Sequence, residues 1–367
     1  MKDIATNQFI RKNIIDLKPY TPILPFEVLS EQLGRHPSEI IKLDANENPY
    51  GASPLVAERL AEAPYLHIYP DPESRELRDA LAEYTGLEAD YLMVGHGADE
   101  LIDMVMRLVL EPGDSIINCP PTFGMYPFDA AINAANTINI PRRPDFSLDM
   151  VAISQQFEDN PNPPKLIFVT SPNNPSGTLL AEEDLHRLLE LPVLVILDEA
   201  YIEFAGFEHS RFTWVKEHAN LMVFRTFSKW AGLAGLRVGY GAFPLEIMAH
   251  LWKMKQPYNV NVAGQIAALA SLEDKVTLFG TVDKLIAERE RFFSALQQLD
   301  WLTPYPSQTN FILCKVAGRD APTVKQQLAE AGILVRHYNT PGLSDHIRIS
   351  IGTPTQMARV VDVMRET

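Results

Sequence analysis

Residues 226 to 243 read Thr-Phe-Ser-Lys-Trp-Ala-Gly-Leu-Ala-Gly-Leu-Arg-Val-Gly-Tyr-Gly-Ala-Phe, and they follow the apolar run Leu221 to Phe224, which predicts a buried strand. Lys229 stands between Phe227 and Trp230. Removal from water would favour the neutral amine of this lysine, which is the form that attacks a carbonyl group and forms a Schiff base. An ordinary lysine at the end of a strand, beside a glycine turn, explains these residues equally well.

The second half of the stretch has the residues of a phosphate-binding loop. Gly232 and Gly235 allow the backbone to approach a ligand closely, because glycine has no side chain. Arg237 presents a planar guanidinium that suits a phosphate group. The stretch therefore indicates a site that combines an amine nucleophile with an anion.

The composition is that of a soluble globular enzyme. The chain has 367 residues, of which 46% are hydrophobic and 22% are charged, and its formal net charge is -15. The acidic balance and the absence of a basic cluster argue against a general nucleic-acid-binding protein. No segment resembles a signal peptide or a membrane span, so we expect a cytoplasmic protein. The two cysteines, Cys119 and Cys314, are expected to be reduced core residues.

Apolar runs alternate with helical patterns from Leu92 to Phe243. This alternation predicts an α/β fold with a mostly parallel sheet that is covered by helices. Long helices and three short strands follow, which predicts a smaller α+β domain; the charged turn at Glu288 is expected to face solvent. We predict an N-terminal arm (1–43), a large domain (44–260) and a small domain (261–367).

Polar motifs follow several of the predicted strands, where ligands of parallel sheets bind. Val94-Gly-His-Gly-Ala-Asp-Glu precedes a helix and can bind an anion, but Glu100 stands where a dinucleotide fingerprint requires its third glycine. Asp198 and Glu199 end the most apolar strand, and paired carboxylates also occur in magnesium sites and glycosidases. Adjacent strand residues face opposite sides, however, which disfavours a shared role. The nine histidines form no His-x-x-x-His pair, so we expect no metal site.

The motif Ser-Lys-x-x-(Gly/Ala)-x-x-Gly-x-Arg-x-Gly-Tyr resembles the lysine segment of the fold-type I, pyridoxal-phosphate-dependent aminotransferases. The other motifs occur in the order of that family between residues 43 and 352. Asp44-Ala-Asn-Glu-Asn-Pro-Tyr-Gly and His67-Ile-Tyr-Pro-Asp are similar to the histidinol-phosphate aminotransferases within it. The resemblance implies pyridoxal 5′-phosphate as cofactor, and transfer of an amino group from L-histidinol phosphate to 2-oxoglutarate in histidine biosynthesis.

The resemblance also implies a role for individual residues. Lys229 would form the Schiff base, Asp198 would pair with the pyridinium nitrogen, and Tyr201 and Asn174 would hydrogen-bond the phenolic oxygen. Phe123, where many relatives have tyrosine, would stack on the ring. The phosphate of the cofactor would be bound by five residues, which are Gly97, Ala98, Thr226, Ser228 and Arg237. Tyr69 from the neighbouring subunit of a homodimer would also bind it. The substrate would contact Tyr20, Asn46, Arg336 and Arg348.

Three alternatives remain open at this point. Aromatic amino acids are possible substrates, because a pocket that accepts imidazole can often accept phenyl. Threonine-phosphate decarboxylases share most of these motifs, and release of carbon dioxide would identify such a lyase. A transcription regulator with an aminotransferase-like domain would need a DNA-binding module, for which the N-terminal arm is too short.

Overall fold

A computed structural model describes residues 6–20 and 24–366 of the chain. These residues contain twelve strands. Most of the strands begin and end close to the apolar runs of the sequence. The strands are β1 (Ile41–Leu43), β2 (Leu92–Gly95), β3 (Ser115–Asn118), β4 (Asn136–Asn139), β5 (Leu166–Thr170), β6 (Leu194–Asp198), β7 (Leu221–Thr226), β8 (Gly239–Ala242), β9 (Leu302–Pro304), β10 (Phe311–Val316), β11 (Ile333–His337) and β12 (His346–Ser350).

Helices separate most of these strands. In the described residues they are α1 (Lys12–Ile15), α2 (Phe26–Leu33), α3 (Pro54–Ala61), α4 (Arg75–Thr85), α5 (Gly97–Val109), α6 (Met125–Ile132), α7 (Met150–Ser154), α8 (Glu182–Leu189), α9 (Leu245–Met254), α10 (Val262–Glu273), α11 (Lys275–Leu296), α12 (Ala321–Glu330) and α13 (Pro354–Glu366). Helix α2 ends at Gly34, which adopts a left-handed conformation that terminates a helix without steric cost.

The large sheet has seven strands in the order β2-β8-β7-β6-β5-β3-β4. Only β8 runs antiparallel to its neighbours in this sheet. Alternate residues of β5 enter two different cores: Ile167 and Val169 pack on one face, and Leu166 and Phe168 pack on the other. A sheet that is buried on both faces needs apolar residues at consecutive positions, which the sequence shows. The predicted α/β fold with a mostly parallel sheet is confirmed.

A second sheet contains β1-β11-β12-β10-β9 and is largely antiparallel. Strand β1 pairs with β11 in parallel, so residues 41–43 lie in the sheet of the C-terminal region. Neither β1 nor β9 is expected from the sequence, because a three-residue strand has too few positions to show alternation. The division into residues 1–43, 44–260 and 261–367 stays a prediction, and residues 1–5 and 21–23 of the arm lie outside the described part.

One expectation for α11 is wrong. Glu288 and Arg289 are both buried rather than solvated. Arg289 donates hydrogen bonds to the carbonyl oxygens of Thr309 (3.0 Å) and Phe204 (3.4 Å), and Glu288 forms an ion pair with Arg291. Glu290 and Arg291 of the same turn are exposed as expected, so only half of the turn is buried. Arg289 is buried because backbone acceptors from other elements meet it, which the helix sequence alone does not show.

Candidate active site

A cavity of about 1180 Å³ opens at the edge where the parallel strands of the large sheet end, and residues of the C-terminal sheet line its other side. It collects most of the predicted site residues from distant parts of the chain. They are Tyr20, Asn46, Ala98, Phe123, Asn174, Asp198, Tyr201, Thr226, Ser228, Lys229, Arg237, Arg336 and Arg348. Gly97 and Tyr69 are the predicted residues that do not line it.

Lys229 lies three residues beyond the end of β7. Its Nζ donates a hydrogen bond to the carbonyl oxygen of Ala45 (3.2 Å) and lies 5.9 Å from the ring centre of Tyr201. Burial, followed by the nearby guanidinium of Arg348, lowers the pKa of Lys229 to about 8. The fraction of neutral amine near neutral pH is therefore larger than for an ordinary lysine, as a nucleophilic lysine requires.

Asp198 is the last residue of β6 and is 5% exposed. Its Oδ2 accepts a hydrogen bond from the hydroxyl of Tyr126 (2.7 Å), and its Oδ1 accepts one from the amide of Ala200 (3.0 Å). Burial raises the pKa of Asp198 to about 6, against the opposing effect of these two donors. A buried carboxylate of this kind is stabilised by a cationic partner.

Glu199 has surroundings that differ from those of the adjacent Asp198. It is buried on the opposite side of the strand, where its carboxylate forms an ion pair with Arg225 (3.0 Å) and accepts hydrogen bonds from Ser210 and the amide of Arg211. These donors satisfy its carboxylate oxygens within the fold. Glu199 is therefore a structural residue, and Asp198 alone faces the cavity.

Tyr201 is oriented by the N-terminal segment. The amide nitrogen of Asn46 donates a hydrogen bond to its hydroxyl oxygen (2.9 Å), which leaves the hydroxyl proton available for another acceptor. Asn46 is held in turn by Ser350, whose hydroxyl donates to the Asn46 side-chain oxygen (2.8 Å). Burial raises the pKa of Tyr201 to about 12, so the phenol stays protonated and acts as a donor.

Arg348 joins the two sides of the cavity. It donates hydrogen bonds to the side-chain oxygen of Asn174 (2.7 Å) and to the carbonyl oxygen of Asp44 (2.6 Å). Its Nε is buried and has no hydrogen-bond partner in the described part of the chain. Because Asn174 uses its oxygen for Arg348, its amide nitrogen remains a donor for a ligand.

Arg336 lies directly opposite Arg348 in the register of β11 and β12. Its guanidinium lies 5.8 Å from the ring centre of Tyr338, and no ion pair of Arg336 occurs among residues 6–20 and 24–366. Like charges that are directly opposed across two strands destabilise a sheet. The pair therefore presents two cationic groups that could bind an anion in the cavity.

A second anion subsite surrounds the β7–β8 connection. Thr226 donates its hydroxyl to Ser228 (2.9 Å), and Arg237 contacts the Ser228 hydroxyl at 3.4 Å. Arg237 also forms an ion pair with Asp99 (3.0 Å) in the first turn of α5. Two hydroxyls, one guanidinium and the amino end of a thirteen-residue helix together provide the donors of a phosphate site.

Gly97 begins α5 and adopts a positive φ of +75°. A Cβ atom at this position would lie 2.6 Å from Nη2 of Arg237, so a larger residue would displace the guanidinium. Ala98 follows it and lines the cavity. Gly97 thus supports the site by its small size, although its own atoms do not line the cavity.

Phe123 lies in the cavity wall, and its ring meets Tyr126 edge-on with ring centres 5.6 Å apart. Thr170, which lines the cavity, and Tyr126, which is buried behind it and shares a 2.8 Å hydrogen bond with it, are polar groups that we did not predict. Both residues lie in segments that the sequence singles out, because Tyr126 belongs to Pro-Pro-Thr-Phe-Gly-Met-Tyr and Thr170 ends the strand β5. A buried contact to Asp198 cannot be read from that spacing alone.

Tyr20 and Tyr69 are both exposed in the single chain. Tyr20 lines the cavity, and its ring packs edge-on against Phe128 with ring centres 6.0 Å apart. Tyr69 is 78% exposed and stacks on Tyr258 with ring centres 4.5 Å apart. Tyr69 does not line the cavity of its own chain.

Three further observations on residues 6–20 and 24–366 concern membrane spans, metal sites and the cysteines. No helix in these residues combines the length and the apolar composition needed to cross a membrane. These residues also contain no group of three or more histidine, cysteine or acidic side chains that is placed to hold a metal ion. Cys119 and Cys314 are both buried and free.

Comparison with known proteins agrees with this geometry. Residues 38–364 match the family model of aminotransferase class I and II. The chain is 56% identical over 361 residues to histidinol-phosphate aminotransferase 1, chloroplastic, from Arabidopsis thaliana, covering 98% of this chain and 86% of that protein. It is 48% identical over 365 residues to the histidinol-phosphate aminotransferase of Roseiflexus castenholzii, covering 97% of each.

The same group is found among solved structures. The structure of histidinol-phosphate aminotransferase from Sinorhizobium meliloti in complex with pyridoxal-5′-phosphate superposes with a TM-score of 0.87 at 27% identity, covering 98% of each chain. The chain belongs to the aminotransferase class I and II family, within the group of the histidinol-phosphate aminotransferases.

Proposed function

We propose that the protein transfers the amino group of L-histidinol phosphate to 2-oxoglutarate, with pyridoxal 5′-phosphate as its cofactor. The observation that carries the proposal is the paired Arg336 and Arg348 in the same cavity as Lys229. A lysine of lowered pKa is suited to amine chemistry, and the arginine pair selects a substrate with a strongly anionic end. Relatives that are 48% to 56% identical to the chain bear the name of this activity.

The donor set of the cavity fits the cofactor. When bound, pyridoxal phosphate supplies an aldehyde for the amine and a ring that accepts electrons from the substrate Cα. Lys229 would hold the aldehyde carbon, and Phe123 would cover one face of the ring. Asp198 would place its carboxylate at the ring nitrogen and keep a proton there. The cation at that nitrogen would relieve the cost of burying Asp198, whose pKa burial raises to about 6.

Tyr201 and Asn174 would bind the phenolic oxygen. Both have a donor that the fold leaves available: the hydroxyl proton of Tyr201, whose oxygen accepts from Asn46, and the amide nitrogen of Asn174, whose oxygen accepts from Arg348. Two fixed donors orient the ring without any rearrangement at the moment of reaction.

Lys229 would also move the proton during the reaction. Its amine, when not attached to the cofactor, would be the base that takes a proton from the substrate Cα. The lowered pKa of about 8 keeps enough of this amine neutral near neutral pH. The same group would then deliver that proton to the cofactor, and water would release the oxo product to complete the half-reaction.

The phosphate of the cofactor would be bound by the backbone amides of Gly97 and Ala98, the hydroxyls of Thr226 and Ser228, and the guanidinium of Arg237. We propose that the enzyme works as a homodimer in which Tyr69 reaches the phosphate of the neighbouring subunit. Two features support this: Tyr69 is among the most exposed aromatic residues, and it stacks on Tyr258 rather than on residues of its own cavity.

The substrate would lie between the cofactor and the arginine pair. Arg336 and Arg348 would bind the phosphate ester, with Tyr20 and Asn46 beside them. The same guanidinium groups would bind the carboxylates of 2-oxoglutarate, because carboxylate and phosphate present similar oxygen pairs to an arginine. One subsite can therefore serve both substrates in turn.

The proposal is tested by single half-reactions. Holoenzyme is mixed with L-histidinol phosphate, L-histidinol, L-phenylalanine or L-threonine phosphate, and cofactor absorbance and carbon dioxide are recorded. We expect rapid conversion with L-histidinol phosphate alone, without carbon dioxide. Equal specificity constants for L-phenylalanine or L-histidinol would instead indicate a broad aromatic aminotransferase, and carbon dioxide release from L-threonine phosphate would indicate the lyase.

The expected cytoplasmic location stays a prediction. The A. thaliana relative has a name that places that protein in the chloroplast. Fractionation of the source cells, followed by detection of the protein with an antibody, would test the location.

A further inference from the structure

Tyr126, on the first turn of α6, is fully buried behind Asp198 and Thr170, which line the cavity. Its hydroxyl lies 2.7 Å from Oδ2 of Asp198 and 2.8 Å from Oγ1 of Thr170. Because an ionised Asp198 can only accept a hydrogen bond, Tyr126 donates its proton to Asp198 and accepts one from Thr170.

The hydroxyl of Tyr126 belongs to a chain of contacts that links three loops at the strand ends. Thr170 Oγ1 lies 3.3 Å from Thr122 Oγ1, and the Thr122 hydroxyl donates to the side-chain oxygen of Asn173 (3.1 Å). The ring of Tyr126 is stacked on Phe168, with ring centres 4.7 Å apart at 19°. Packing and hydrogen bonds together leave its hydroxyl one position, which is the condition for an oriented donor.

The same ring supports the residue that would stack on the cofactor. Phe123 meets the ring of Tyr126 edge-on at 5.6 Å and 81°. A phenylalanine has no hydroxyl with which to anchor itself, so packing alone sets its position. One side chain therefore contacts both protein groups that would flank the cofactor ring, Phe123 at its face and Asp198 at its nitrogen.

We infer that Tyr126 is a positioning residue that holds the Asp198 carboxylate ionised and correctly oriented for its partner at the cavity, and that it fixes Phe123 at the same time. This inference rests on the proposed function of Asp198 and deepens it. A donor to Oδ2 stabilises the ionised carboxylate, so its removal favours the protonated form.

Other groups also shift the pKa of Asp198, and a test of Tyr126 must leave these groups unchanged. Asp99 on α5 and the adjacent Glu199 raise its pKa, while the hydrogen bonds from Tyr126 and the amide of Ala200 lower it. Tyr201 lies near enough to interact with it electrostatically. Replacing the Tyr126 hydroxyl leaves all of these in place.

The test compares Tyr126→Phe with the wild type in two measurements. In the holoenzyme, kcat should fall about tenfold, as expected for a lost hydrogen bond to a charged group, and KM for both substrates should stay unchanged. The acidic limb of the pH–rate profile should move to higher pH, because Asp198 loses a proton less readily. Unchanged pH limbs would mean that Tyr126 only fills space, and would overturn the inference.

The second measurement uses protein without cofactor and is independent of the substrate. Because the folded-state pKa of Asp198 is raised to about 6, the contribution of this group to stability falls as pH rises from about 4 to about 6 and then levels off. Compared with the wild type, Tyr126→Phe should therefore lose additional stability above pH 6. A wrong substrate assignment would leave this result intact, whereas coincident stability profiles would contradict the role of Tyr126 alone.

Two further variants separate the loss of this hydrogen bond from other effects of a buried substitution. Thr170→Val leaves the Tyr126 ring in place and removes the donor that polarises its hydroxyl, so it should shift both profiles in the same direction by a smaller amount. Tyr84→Phe is the matched control, because it removes a buried hydroxyl that has no hydrogen-bond partner in the described residues and does not contact Asp198. It should shift neither the acidic limb nor the pH 4–6 region of the stability profile.

Discussion

Arg336 and Arg348 occupy directly opposed positions on two antiparallel strands, so two guanidinium groups are presented side by side to the cavity that contains Lys229. Cross-strand neighbours interact, and two like charges at this spacing disfavour the fold in the absence of an anion. A phosphate or a carboxylate bound between these two groups would offset their repulsion. The register of β11 and β12 therefore supports the proposed role of the pair in substrate binding.

The arginine pair yields the first prediction. Arg336→Ala should lower kcat/KM for L-histidinol phosphate about ten- to a hundredfold, because a charge-assisted hydrogen bond contributes about 1.5–3 kcal/mol. The same change should have little effect on L-histidinol, which lacks the phosphate. Steady-state kinetics with both donors measure this difference, and Arg107→Ala on the outer face of α5 is the control. Equal losses with the two donors would show that Arg336 does not bind the phosphate.

Lys229→Ala should fold, bind the cofactor weakly and lose turnover, because both the covalent attachment and the proton carrier are removed. Activity assays and cofactor titration by absorbance measure these effects. Lys216→Ala, which removes an exposed lysine paired with Glu88, should behave as the wild type. Transamination by Lys229→Ala at a rate near that of the wild type would rule out the assigned role.

Asp198→Asn should reduce activity by several orders of magnitude while the lysine–cofactor bond persists. The neutral amide no longer holds a proton at the ring nitrogen, although it is nearly the same size as the carboxylate. Absorbance of the bound cofactor and single-turnover rates, measured on one preparation, separate the two effects. An active Asp198→Asn enzyme, or one that cannot form the lysine bond, would contradict this assignment.

Subunit sharing can be tested by complementation. Lys229→Ala and Tyr69→Phe subunits are each impaired, but a mixed dimer contains one site with both native residues if Tyr69 serves its neighbour. Mixing the two variants should therefore restore activity, up to about one-quarter of the wild-type value for random exchange, since half of the dimers are mixed and each has one of two sites intact. Native mass spectrometry confirms the exchange. No gain in activity after confirmed exchange would place Tyr69 in its own subunit's site or in none.

Glu203 gives a prediction about stability. Its carboxyl is 5% exposed, neither oxygen has a hydrogen-bond partner within the described residues, and burial raises its pKa to about 8. The folded state therefore binds a proton more tightly than the unfolded state, and stability falls as pH rises from about 4 to about 8. Glu203→Gln, which stays neutral, should be less sensitive to pH over this range and more stable than the wild type at pH 9.

Chemical denaturation at several pH values measures this difference in the free energy of unfolding. Each unit by which the pKa is raised corresponds to about 1.4 kcal/mol, so the effect is readily resolved. Glu217→Gln, at an exposed position, is the control and should leave the profile unchanged. Parallel profiles for Glu203→Gln and the wild type would show that Glu203 is not buried as a neutral acid.

Much of this protein can be predicted from its sequence, because the relevant signals are local. Consecutive apolar residues in β5, β6 and β7 indicate a sheet that is buried on both faces, and ligand-binding residues follow directly where those strands end. Lys229 and Asp198 stand at such ends, so the common edge of the parallel strands brings them into one cavity. Their residue types and order along the chain were sufficient to indicate the family.

Tertiary structure alone decided which partners each side chain meets. The contacts Tyr126–Asp198, Asn46–Tyr201 and Arg348–Asn174 join residues that are 72, 155 and 174 positions apart, and no periodicity links such positions. The burial of Arg289 likewise depends on carbonyl groups supplied by other elements. Local sequence determines strands, helices and the edge at which ligands bind, whereas hydrogen bonding and the pKa values it shifts depend on packing between distant segments.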